Sequence, residues 1–538
     1  MSASSKKKLR NEQEAAKMTE RQLAEQKEAK KLKIYTIIFV VVLVALLAIA
    51  ITVGITQTIS SSGMREKNTV ALTIGEHELS NADLSYYYID TVNTFYSQNG
   101  SYAAMFGLDV TAPLDEQVMD ETTGQTWADY FLSSAKDNAK SIYALCDAAN
   151  AAGHTLTEEE KVNLESTISY SSLYASMYGY SDAKSYLKAM YGNGATEESY
   201  RNYIEMSMLA DSYYQAYGNS LTYDDADLRA AEAENFDRYS SFTYNYYYLP
   251  ASRFLKGGTT AEDGTTTYSD EEKAASVAAC EEAAKALTSE EITSVEALDA
   301  AISALPENAN AASAVSTYYE DFGYGNITAV VSEWLSDDAR VEGDKVYLAN
   351  TSGETVNGYY IVYFHSVNDN AFPMKNVRHI LISFEGGTTG EDGTVTYTVD
   401  EKDTAKKEAE ALLDQWKNGD ATEEGFATLA KENSTDPGSI ENGGLYEDIY
   451  PGQMVPAFDA WCFDDSRKTG DTGIVETEYG YHVMYFVGNS DITYRDYQIT
   501  NDLTSRDLSS WYSELQNSVT VADGDTKYMK TGLILSGN

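Results

Sequence analysis

An α+β multidomain architecture with an N-terminal membrane-spanning helix follows from three features of the sequence. An uncharged run dominated by Val, Leu, Ile and Ala covers Ile34–Ile55. Helical periodicity then prevails to about Tyr239. Beyond it the chain repeats itself, with short apolar strand-like runs set between amphipathic stretches. At 538 residues the chain exceeds what one hydrophobic core can organise, and three or four domains are expected.

Residues 1–33 are a basic tail, with ten Lys and Arg against five Glu. The apolar run 34–55 behind it would be about 33 Å long as a helix, enough to cross a bilayer core of about 30 Å. The positive-inside rule keeps the tail in the cytoplasm and everything after Ile55 outside, a single-pass arrangement in the cell membrane. A cleavable signal peptide is the competing reading. Its apolar core would span roughly 7–15 residues, and Ala48-Ile49-Ala50 lies inside the run rather than after it, so a retained anchor is expected.

Residues 67–238 read as a helical domain. Val70, Leu72 and Ile74 alternate like a strand, and Ser80 can cap a helix in which Leu84, Tyr88, Val92 and Phe95 share a face. Further helices are predicted over Thr126–Ala152, Thr157–Tyr178 and Glu197–Tyr217. Two related domains follow, at 239–369 and 370–490. The segment Gly257–Tyr268 recurs at Gly386–Tyr397, Tyr319–Trp334 aligns without a gap on Tyr446–Trp461, and Gly358–Phe364 aligns on Gly480–Phe486. A C-terminal helix and tail, 491–538, carry Leu503, Leu508, Trp511 and Leu515 on roughly one side.

The chemistry concentrates in the second copy. Its landmarks are V-R-H-I-L-I at Val377–Ile382, N-S-T-D-P-G-S at Asn433–Ser439, G-Q-M-V-P-A-F at Gly452–Phe458 and G-Y-H-V at Gly480–Val483. His379 and His482 each sit in an apolar run that reads as a buried strand, and Met454 and Phe458 are spaced four apart on what reads as a short helix. In type and order these motifs resemble a parvulin-type peptidyl-prolyl isomerase. The resemblance implies a mixed domain with an antiparallel-rich sheet and flanking helices. It also implies a polar set of His379, Asp436, Thr477 and His482, with the two histidines hydrogen-bonded at the sheet's centre, in either a chemical or a structural role. Met454 and Phe458 would form the apolar proline pocket, closed by Leu445. Only X-Pro bonds populate cis appreciably, so the implied partners are unfolded or partly folded exported proteins containing them. The strand, Gly and helix that open the 67–238 region are similar to the start of the PrsA and SurA type of extracytoplasmic foldase, in which this part is a chaperone domain completed by a returning C-terminal helix.

The first copy keeps the fold signals and loses the site. Ile327 stands at the position of Met454, Val331 at Phe458 and Tyr360 at His482, with Tyr247 expected at His379 and no counterpart of Asp436. This copy is read as a binding or spacer domain. Phosphopeptide-directed parvulins place Lys or Arg just after the first histidine strand, and Ser383–Asp400 contains neither.

Composition and motif content weigh against other classes. The net charge of −45 opposes nucleic-acid binding. Three widely spaced cysteines, five histidines and the absence of C-x-x-C or H-E-x-x-H patterns leave neither a disulfide framework nor a metal site, and no cofactor is expected. No G-x-S-x-G elbow is present. The expected function is that of a membrane-anchored extracytoplasmic foldase turning X-Pro bonds. Its rival is a non-enzymatic holdase that grips peptides without turning them. Client identity and oligomeric state stay open.

Overall fold

The computed structural model describes residues 61–306, 314–390, 392–533 and 535, with scattered residues of the first 60. The expected spanning run 34–55 lies mostly outside the described residues. Among the described residues no helix is long and apolar enough to cross a membrane. The chain divides into two compact units, one comprising Met1–Leu221 with Asp507–Asn538, the other Thr222–Arg506.

In the first unit, β1 (Val70–Ile74) turns at Gly75 into β2 (His77–Ser80) and pairs on its other side with Val521–Asp523. Ser80 caps α1 (Asn81–Asn99) in a reciprocal capping box with Asp83, which satisfies two backbone donors of the first turn. Four helices follow: α2 (Trp127–Ala152), α3 (Glu158–Met177), α4 (Ala183–Tyr191) and α5 (Glu197–Ser220). The core lies between β1 and the inner faces of α1 and α2, where Leu72, Leu84, Tyr88 and Phe131 are fully buried.

The second unit begins with α6 (Asp225–Glu234) and then builds the same four-stranded antiparallel sheet twice. The upstream copy comprises β3 (Ser241–Pro250), α7 (Asp270–Leu287), α8 (Val295–Ser303), β4 (Thr317–Gly323), α9 (Ala329–Leu335), β5 (Lys345–Ser352) and β6 (Thr355–Asn368), with strand order β4-β3-β6-β5. The downstream copy comprises β7 (Pro373–Ser383), α10 (Val399–Asn418), α11 (Glu423–Asn433), β8 (Leu445–Ile449), α12 (Pro456–Cys462), β9 (Thr472–Glu476) and β10 (Gly480–Thr493), in the equivalent order β8-β7-β10-β9. Helix α13 (Tyr494–Ser518) follows.

The likeness of the copies extends to single side chains. Arg340 lies over the Trp334 ring, donates to its carbonyl and pairs with Asp337; Arg467 does the same with Trp461 and Asp464. Asp321 and Asp448 both take left-handed backbone, and each amide donates to the neighbouring strand's side chain, Thr243 in one copy and Asn376 in the other. A chance repeat would not preserve such details.

Register corrects one expectation. Gly358 pairs with Pro250 and Tyr360 with Tyr248, while Gly480 pairs with Ser383 and His482 with Leu381. Counting back along both strands puts Tyr246, not Tyr247, at the position of His379. The rings of Tyr246 and Tyr360 lie 5.5 Å apart where the downstream copy holds its histidines. Residues 307–313, in the stretch where a counterpart of Asp436 would fall, lie outside the described residues.

Candidate active site

The downstream sheet has two apolar faces, and strand alternation decides which side chains meet on each. Ile380, Ile382, Tyr481, Val483 and Tyr485 pack under α10 and α11. Val377, Met484 and Phe486 face the other way, toward α12. His379 and His482 share this second face, 2 % and 5 % exposed, on the two central strands.

Both histidines are held by backbone as well as by partners. The His379 amide donates to the Gly444 carbonyl at 2.8 Å. A Cβ on Gly444, which has φ of 73°, would stand 2.1 Å from the His379 oxygen, so the approach of this loop requires glycine. The same loop is stitched to β7 by Thr435 N–H donating to Leu381 O and Leu381 N–H donating to Ser434 Oγ. That carries Asp436 to the ring of His379.

The polar side chains form one row. Thr477 Oγ1 lies 2.8 Å from His482 Nε2, His482 Nδ1 lies 2.9 Å from His379 Nδ1, and His379 Nε2 lies 2.9 Å from Asp436 Oδ2. Asp436 Oδ2 also accepts from Ser439 Oγ and, at 3.0 Å, from the Tyr446 hydroxyl. The His379 hydrogen bond, reinforced by Ser439 and Tyr446, outweighs burial and holds the Asp436 carboxyl well below the usual carboxylate range. Burial pushes His482 down to about 3, with His379 adding to the shift, so its ring is neutral at physiological pH. Burial, then Asp436, pushes the Tyr446 hydroxyl up to about 12, and it remains a donor. The Asp436 carboxylate can only accept, so His379 Nε2–H donates to it, and the neutral His482 ring divides one donor and one acceptor nitrogen between His379 Nδ1 and Thr477 Oγ1.

Apolar groups floor this row. Phe458, 2 % exposed, stands edge-on to both rings at 5.4 Å from His379 and 5.3 Å from His482. Tyr446 stacks on His379 at 5.3 Å. Met454 is half-buried against the same cluster. It lies in the bend before α12 rather than on the helix, because Pro456 sets the first turn. Leu445 is the exception to the expected set. It pairs with Arg378, whose guanidinium reaches Glu423 at the start of α11, so Leu445 belongs to the face opposite the histidines; its neighbour Tyr446, opposite Val377, takes the place beside them. Sequence reasoning missed Tyr446 and Ser439, although the position of Ser439 three residues after Asp436 in a turn motif was a usable signal.

The site offers no activated nucleophile. The Ser439 hydroxyl is buried and donates to Asp436; its oxygen also lies 3.0 Å from His379 Nε2, but that nitrogen donates to the carboxylate and is no base for it, and burial pushes the nearby Cys462 thiol up to about 12. Among the described residues no group of His, Cys, Asp and Glu could hold a metal ion. What remains is a fixed, partly exposed carboxylate beside an apolar floor, suited to rotating a bond rather than cleaving one.

Residues 359–488 match the family described as PPIC-type PPIASE domain. The chain is 39% identical over 119 residues to foldase protein PrsA 1 of Listeria innocua, covering 22% of this chain and 32% of that protein. It is 30% identical over 154 residues to chaperone SurA of Pseudomonas savastanoi, covering 27% and 32%. The chain thus spans about a third of the length of these relatives. Among solved structures, PrsA from Bacillus anthracis is similar at 22% identity, with a TM-score of 0.18, over 28% of this chain and 59% of that one.

Proposed function

We propose that this chain, whose residues 359–488 form a PPIC-type peptidyl-prolyl isomerase domain, is an extracytoplasmic foldase that catalyses cis/trans isomerisation of X-Pro bonds in exported polypeptides. The observation that carries the reading is the unbroken row Thr477, His482, His379, Asp436 laid over Phe458. The proline ring rests against Met454, Tyr446 and the rim above Phe458, and the preceding carbonyl lies near Asp436. In a planar amide that oxygen carries partial negative charge, which it loses as the bond twists. A fixed carboxylate beside it disfavours the planar state relative to the twisted one and lowers the barrier of about 18–20 kcal/mol. The roles of His379, His482, Ser439 and Thr477 are to hold that carboxylate ionised and in place.

The basic tail and the 34–55 apolar run support a membrane anchor with the bulk of the chain outside. PrsA and SurA relatives support unfolded exported proteins as the clients. The upstream copy, with Tyr246 and Tyr360 in place of the histidines, favours a second role in gripping peptides without turning them. The test is refolding of a protein whose slow phase is prolyl isomerisation: the full chain should accelerate that phase, and the Asp436→Ala chain should not. Suppressed aggregation with an unchanged slow phase would favour the holdase reading.

A further inference from the structure

The duplication separates what the fold needs from what the site needs. The clamps of Arg340 and Arg467 and the left-handed Asp321 and Asp448 occur in both copies, so they serve the sheet itself. One ion pair belongs to the downstream copy alone. Arg378 precedes His379 on β7, and the register that puts Tyr246 at the position of His379 puts Asn245 at the position of Arg378. Its partner changes with it: α11 starts with Glu423 after the cap Thr422, whereas α8 starts with Val295 after the cap Ser294. In the upstream copy Asn245 bonds Ser316 and His365 instead.

Arg378 approaches the polar row from behind. Strand alternation directs it to the face opposite the histidines. There its Nε donates to Glu423 Oε1 at 2.9 Å, and its Nη1 donates to the carbonyls of Asn442 and Gly443 at 2.9 and 3.1 Å. Those carbonyls close the loop that surrounds Asp436. The loop opens with Ile440 N–H donating to Asp436 O, closes with Gly444 N–H donating to Ser439 O at 2.7 Å, and runs directly into β8 with Tyr446. Its two ends therefore supply the Ser439 and Tyr446 hydroxyls that meet at Asp436 Oδ2. A guanidinium suits this task because its rigid fork holds a carboxylate and two carbonyls in one fixed geometry, which an ammonium on a flexible stem does not.

We propose that Arg378 is a positioning residue for the isomerase site, holding the loop 439–446 so that Ser439 and Tyr446 converge on Asp436. It acts through the loop and not on the substrate, and Glu423 fixes the guanidinium from the first turn of α11. The link to turnover rests on the proposed isomerase reading; the hold on the loop does not.

The experiment follows exchange of a short X-Pro peptide by NMR across pH with the full chain, beside hydrogen exchange on the peptide 435–446. Arg378→Met should lower kcat by roughly tenfold to a hundredfold with KM little changed, as expected when a group that acts in the transition state is displaced. It should also move the acid limb of the pH–rate profile upward and quicken hydrogen exchange over 435–446. Joined to Tyr446→Phe, it should cost less than the product of the two separate losses, because both act on one carboxylate. Arg378→Lys, which keeps the charge without the fork, should recover stability but only part of kcat. Arg467→Met removes a clamp that both copies share; it should lower the melting temperature and leave the acid limb in place. An acid limb unmoved by Arg378→Met or moved equally by Arg467→Met, a loss confined to KM, fully multiplicative losses in the double variant, or unchanged hydrogen exchange over 435–446 would each overturn the inference. If the native chain turned over no X-Pro peptide, the isomerase reading would fail, and hydrogen exchange would still decide whether Arg378 holds the loop.

Discussion

Acidification should unlatch the isomerase domain through one buried ring. His482 has both nitrogens engaged, with His379 at 2.9 Å and Thr477 at 2.8 Å, and burial pushes it down to about 3. An unfolded histidine titrates near 6.5. Between those values the unfolded chain holds a proton that the folded one lacks, so stability rises with pH and is lost as pH falls below about 6.5, by about 1.4 kcal/mol per pH unit. From pH 6.5 to 4.5 the loss is of order ~2 kcal/mol, a large share of the roughly 5–15 kcal/mol that holds a typical domain. Asp436 does not confuse this window. Its folded value is depressed, so its contribution is present above the unfolded carboxylate range near ~3.9 and is lost only at lower pH. The control is His482→Gln, whose amide keeps a donor and an acceptor for His379 and Thr477 but cannot titrate. Urea unfolding read by pulsed hydrogen exchange on the β7 peptide, 373–383, follows this domain alone. The native chain should lose stability steeply over the window and the Gln chain much less. Parallel decline in both would refute the assignment of the proton to this ring.

Three other substitutions and one substrate are informative. Phe458→Ala removes a side chain that is 2 % exposed and should cost the domain about 3–5 kcal/mol in melts, whereas half-buried Met454→Ala should cost less and appear mainly as a raised KM. Tyr446→Phe deletes one of three donors to Asp436 Oδ2 and should cost at most about 1.5–3 kcal/mol, while moving the acid limb of the pH–rate profile upward because the carboxylate is less well held. A phospho-Ser-Pro peptide should be turned over no faster than its unphosphorylated parent in parallel exchange assays: Ser383–Asp400 has no Lys or Arg, and the next cation, Lys402, is paired with Glu476 at 2.9 Å.

What was legible in the sequence was chemical identity, and what was not was facing. His379, Asp436, Thr477 and His482 carry rare side chains in short motifs, and the structure brings all four into one row. The repeat was readable because gapless segments recur, and Ser80 because its capping box with Asp83 is local. Tyr247 for Tyr246 and Leu445 for Tyr446 are both one-residue errors, and a one-residue slip in a strand moves a side chain to the opposite face. The run Tyr246-Tyr247-Tyr248 contains no alternation to set the parity, and Leu445-Tyr446 opens a strand of only five residues. The placement of Met454 before the helix was recoverable from Pro456, which favours a first helical turn. The role of Ser439 depends on how loop 434–444 folds back on β7, which no local periodicity encodes.

The central claim, that the downstream copy turns X-Pro bonds while the upstream copy does not, is tested most directly by NMR exchange spectroscopy on a short X-Pro peptide with catalytic amounts of the full chain. The native chain should produce cis/trans exchange cross-peaks, Asp436→Ala should abolish or strongly reduce them, and Tyr360→Ala in the upstream copy should leave them unchanged. Exchange that survives Asp436→Ala and disappears with Tyr360→Ala, or no exchange with the native chain, would contradict it.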